Sequence, residues 1–91
     1  MVKSNRILTV GAAQLGPIGL NESREAVVDR LLALLETAHD RGCDLVVFPE
    51  LALTTFFPRW YFQEQGAIDR FFETAMPGPD PARLFERAAE Y

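Results

Sequence analysis

The sequence predicts an α/β fold in which two parallel strands flank a helix. Three observations carry this expectation. Residues 6–13 and 43–48 are apolar, β-branched runs without a polar face, the pattern of strands covered on both sides. Between them, residues 22–41 place apolar side chains at helical spacing. Short connections join all three, so they form a βαβ unit with parallel strands and a right-handed crossover.

Each element follows from local chemistry. Gly16, Pro17 and Gly19 make residues 14–20 a loop. Asn21 or Ser23 can cap the helix, and Glu22 and Glu25 suit the positive end of its dipole. Val27, Val28, Leu31, Leu34, Leu35 and Ala38 define its apolar face, while Arg24, Asp29, Arg30, Glu36 and Asp40 fall on a solvated side. Arg41 occupies the last turn and Gly42 suits the left-handed position that ends a helix. After the second strand, residues 51–62 read as an aromatic loop with short helical turns around Pro58. Residues 68–74 read as a helix packing through Phe71 and Phe72. Residues 76–81 form a proline-rich break. Pro81 then starts a last helix, to residue 91, with Leu84, Phe85 and Ala88 as its buried stripe. Two strands leave two open edges, so the sheet reads as incomplete, and residues 1–91 read as the N-terminal part of one larger domain.

Composition narrows the function. The net charge is −4, Lys3 is the single lysine, and eight arginines are scattered singly. With no basic patch, nucleic acid and anionic membranes are not expected partners. No apolar run approaches a membrane span and no signal peptide is evident, so a cytoplasmic location is expected. The lone cysteine, Cys43, excludes an internal disulfide framework.

Glu50 is the candidate catalytic residue. It follows a buried strand that stops at Pro49, and ligand sites in open α/β sheets gather beyond the carboxyl ends of strands. A carboxylate shielded there by apolar neighbours suits general-base work. The plainer alternative is a polar residue that merely ends the strand.

Val47-Phe48-Pro49-Glu50-Leu51, with Gly11-Ala12-Ala13-Gln14 before it and Met76-Pro77-Gly78-Pro79 after it, resembles the N-terminal part of the nitrilase superfamily of carbon–nitrogen hydrolases. The longer run from Phe48 through Thr54, Thr55 and Pro58 to Trp60 is similar to the branch of N-carbamoyl-D-amino acid amidohydrolases. The resemblance covers essentially the whole chain. It implies an α-β-β-α sandwich, a homo-oligomer in the full-length family, a small carbamoyl or amide substrate, and no metal or organic cofactor. It also implies a Glu-Lys-Cys triad, with Glu50 as the general base. A thiol needs a base to become a strong nucleophile, and the oxyanion needs a fixed donor.

The other two triad members are not expected within these residues. Cys43 begins the strand that Glu50 follows, about 20 Å away at 3.3 Å per residue, and a base must reach its nucleophile directly or through one water. Cys43 reads as a small core residue. Lys3 precedes the first strand, at the opposite pole of the sheet. His39 and Cys43 straddle the helix-ending glycine and lack a third ligand, so no metal site is expected. Phe56, Phe57, Trp60, Tyr61 and Phe62 read as core packing, with a pocket lining or oligomer contact as the alternative. Arg59 reads as a surface ion pair rather than a carboxylate clamp. Gln14, at the end of the first strand, is placed to orient Glu50.

The expected function is therefore the N-terminal part of a carbon–nitrogen hydrolase, inactive as an isolated chain of 91 residues. Two alternatives stand beside it. One is a non-catalytic α/β module that binds a partner or assembles through its aromatic loop. The other is a related hydrolase of nitriles, simple amides or β-ureido acids.

Overall fold

The computed structural model describes residues 5–91. Its order is β1 (Val10–Ala12), α1 (Arg24–Asp40), β2 (Leu45–Val47), a 3-10 turn (Phe57–Arg59), α2 (Gln65–Asp69) and α3 (Ala82–Glu90). The fold is α/β. The strands are parallel, with Val10 opposite Leu45, Gly11 opposite Val46 and Ala12 opposite Val47.

Both strands are shorter than the sequence predicts, although their ties continue past the ladder. The Ala13 amide donates to the Val47 carbonyl at 2.8 Å, and the Asp44 amide donates to the Thr9 carbonyl at 2.7 Å. The Asp44 carboxylate accepts the Thr9 amide at 3.0 Å, which pins the entry to both strands.

The expected double coverage is not found. Gly11 and Val46 face α1 and are half-buried. Their neighbours of opposite parity, Val10, Leu45 and Val47, are each more than half exposed. Among the described residues, α1 covers one face and no layer covers the other.

Helix α1 is the anchor. Ser23, not Asn21, is its cap, and its hydroxyl accepts the Ala26 amide at 3.1 Å. Glu25 lies in the first turn as expected, whereas Glu22 falls before the cap and serves the preceding loop. Val27, Val28 and Leu31 are essentially inaccessible and Ala38 is buried, so the predicted face forms the core. Gly42 adopts φ +77°. Its amide reaches the His39 carbonyl at 2.9 Å and the Cys43 amide reaches the Ala38 carbonyl at 3.0 Å. That pair of bonds is a Schellman ending.

The later elements depart further from expectation. Helix α2 starts earlier, at Gln65, and the Gln65 side chain donates to Asp69 one turn on. It ends before Phe71 and Phe72, which leave the helix to pack on Phe57 at centroid distances of 5.3 and 5.4 Å. Pro81 caps α3 instead of opening its first turn. The stripe predicted to be buried on α3 is not: Leu84 is half-buried, while Phe85 and Ala88 are exposed. Helix α3 attaches by a polar edge instead. Arg83 donates to Asp29 at 2.6 Å and to the Glu25 carbonyl at 3.0 Å. At the far end, Tyr91 stacks on His39 at 3.7 Å.

Candidate active site

Strand β2 delivers Glu50 to the carboxyl edge of the sheet. The chain turns immediately afterwards, with Leu51 at φ +50°. A branched side chain in the left-handed region costs about 1–2 kcal/mol, and such strain gathers at functional turns. Nothing in a leucine announces such a turn.

Downstream contacts hold the turn in place. The Thr54 amide donates to the Leu51 carbonyl at 3.4 Å, and the Thr54 hydroxyl donates to the Thr55 carbonyl at 3.0 Å. The Trp60 indole N–H donates to Thr55 Oγ1 at 3.3 Å. Thr54 and Thr55 are the buried polar residues among those described. Burial of a hydroxyl is tolerated because each finds a partner. Neither threonine was expected to carry structure.

Glu50 itself is exposed, so the expected shielding is one-sided. It borders a small cleft of ≈ 140 Å³ between two loops. One loop supplies Leu15, Gly16, Pro17 and Ile18, and the other supplies Pro49, Leu51, Ala52, Thr54 and Phe56. Apart from Glu50 and Thr54 the side chains are apolar. A carboxylate at the mouth of such a cleft can accept a proton from a group seated beside it.

The first loop is held by charge. Arg30 Nη2 donates to the carbonyls of Leu15 at 2.9 Å and Pro17 at 3.1 Å. Arg30 Nη1 pairs with Glu22 at 2.7 Å, and the other Glu22 oxygen accepts the Gly19 amide at 3.0 Å. The Gly19 N–H, then the Arg30 guanidinium, hold the Glu22 carboxyl below its ordinary range. Arg30, expected on the solvated side, is thus half-buried against the loop. Arg24, also expected there, pairs with Glu73.

The remaining candidates separate from Glu50. Cys43 precedes β2, so the two lie at opposite ends of that strand. Its sulfur packs against Gly11, and Gly11 in turn faces Ala38, which is a packing role, although Cys43 is only half-buried. Lys3 lies outside the described residues. Gln14 is exposed and lines a different hollow with Leu34 and Ala38, so the structure does not bring it to Glu50. Arg59 forms no ion pair among the described residues, contrary to expectation. Its guanidinium lies over the Trp60 ring at 5.3 Å. The aromatic run divides: Phe57 and Phe62 pack on Phe71, Phe56 borders the Glu50 cleft, and Tyr61 is open to solvent.

No three His, Cys, Asp or Glu side chains converge among the described residues. No helix among them is long and apolar enough to cross a membrane. The sequence matches the profile of the carbon-nitrogen hydrolase family over residues 9–91. That span contains both strands, α1, the Glu50 turn and both walls of the cleft. The chain belongs to the carbon-nitrogen hydrolase family.

Proposed function

We propose that this chain is the N-terminal part of a single hydrolase domain and contributes Glu50 as its general base. The observation that carries the reading is the placement of Glu50: at the carboxyl end of β2, beside an apolar cleft, inside the segment that matches the family. On the resemblance of residues 48–60, the substrate is an N-carbamoyl-D-amino acid. In this reading Glu50 takes the proton of a cysteine thiol, and the thiolate attacks the carbamoyl carbon. A lysine stabilises the tetrahedral oxyanion, and the nitrogen departs with the proton that Glu50 held. One water completes the release of amino acid, ammonia and carbon dioxide. The cysteine and lysine come from chain beyond residue 91. A cytoplasmic homo-oligomer acting on this small molecule belongs to the same reading.

The test is ammonia release from an N-carbamoyl-D-amino acid. The 91-residue chain alone releases none. In the hydrolase that carries these residues, Glu50→Gln lowers kcat by at least about 10²-fold, the lower range of a general base. Turnover by the isolated chain, or an undiminished Glu50→Gln enzyme, overturns the reading.

A further inference from the structure

We infer that Arg30 is a positioning residue: its guanidinium fork fixes the loop that walls the Glu50 cleft and thereby sets how substrate seats against the base. The inference rests on reading Glu50 as the base.

The geometry differs from that of an ordinary surface pair, which contributes little and orders nothing else. Here one nitrogen, Nη2, gathers two backbone carbonyls, those of Leu15 and Pro17. Gly16 lies between them at φ +82°, a conformation that L side chains rarely adopt. The second nitrogen, Nη1, holds Glu22, whose free oxygen takes the Gly19 amide. The circuit runs Arg30, Leu15, Pro17, Gly19, Glu22 and back to Arg30. It ties both ends of the loop to α1, the most buried element of the fold. Residues 15–18 of that loop line the same cleft as Glu50.

The chemistry is specific to arginine. A planar fork can serve two carbonyls and a carboxylate from fixed directions, whereas an ammonium is a single point on a flexible stem. Loss of the fork frees the carbonyls of residues 15 and 17 and lets the wall drift. Placement errors of that kind act on substrate seating. The base, held by the separate Leu51–Thr55 ties, stays where it is. The expected signature is therefore on KM more than on kcat.

The experiment uses the hydrolase that carries these residues, with an N-carbamoyl-D-amino acid as substrate. Arg30→Gln raises KM by about tenfold with kcat nearly unchanged. Arg30→Lys keeps the charge but not the fork, and raises KM nearly as much. Glu22→Gln leaves the two carbonyl bonds intact and raises KM less than either. If Arg30→Gln does not fold, Arg30→Lys reads the same property. An unchanged KM in the folded Arg30 variants overturns the inference. So does a fall in kcat alone, which reports lost active protein. Glu50→Gln run in parallel separates the two claims. If it abolishes turnover while the Arg30 variants bind normally, the base stands and the positioning role falls. If it retains turnover, the base reading itself falls.

Discussion

Gly11 offers a direct test of how β1 meets the rest of the fold. A Cβ added there lies 3.0 Å from Cys43 Sγ and 3.8 Å from both Ala38 Cβ and Cys43 Cβ. Ordinary nonbonded carbon contacts are about 3.5–4.0 Å, so the sulfur must yield by a few tenths of an ångström. Overpacking of this kind costs about 1–3 kcal/mol. The substitution also narrows the unfolded ensemble, which returns about 0.4–1 kcal/mol. Gly11→Ala is therefore expected to destabilise the chain by up to about 2.5 kcal/mol. In a Cys43→Ala background the sulfur is gone and the remaining contacts are ordinary. There the same Gly11→Ala change becomes neutral or stabilising by up to about 1 kcal/mol. Urea unfolding of the four proteins closes the cycle, with an expected coupling of about 1–3 kcal/mol. Equal effects of Gly11→Ala in both backgrounds refute the reasoning, because then the sulfur does not define the space above β1.

Two more outcomes follow from α1 and the loop before it. Gly42→Ala meets no atom within 4 Å, so only its φ of +77° resists the new side chain. Thermal unfolding should show a loss of about 1 kcal/mol, or roughly 4–8 °C for a domain of this size; an unchanged midpoint contradicts the Schellman ending. The Glu22 carboxyl is held below its ordinary range by the Gly19 amide and Arg30. Its contribution is complete above the unfolded value of about 4.3 and is lost as pH falls through the lower folded value. Stability measured against pH should therefore drop more steeply below pH ~4.3 in the native chain than in Glu22→Gln; parallel curves contradict the Gly19–Glu22–Arg30 circuit.

The βαβ unit was legible because three independent signals agree on it. Val27, Val28 and Leu31 repeat at helical spacing, Ser23 caps, and Gly42 stops. The position of Glu50 was legible for the same reason, since a proline after a buried run marks where the strand must end. Side-chain partners across the chain were not. Arg30 falls on the polar side of α1 by periodicity, and periodicity carries no trace of the loop that folds back onto it. Phe85 and Ala88 form a helical stripe, but a stripe states only that a face is apolar, not that something covers it. Phe71 and Phe72 read as helical, yet they lie beyond the end of α2, Phe71 stacked on Phe57 and Phe72 edge-on to it. At Leu51 the backbone conformation runs against the residue's own preference, so local chemistry predicts the opposite of what the turn requires.

The parity of the two strands bears on how the protein behaves in a test tube. Val10, Leu45 and Val47 present an uncharged, β-branched-rich surface, and among the described residues each strand also keeps one edge without a neighbouring strand. Such a surface adheres to strand edges of its own kind. A lysine in place of Val47 slows clumping without touching α1, the Glu50 turn or either wall of the cleft.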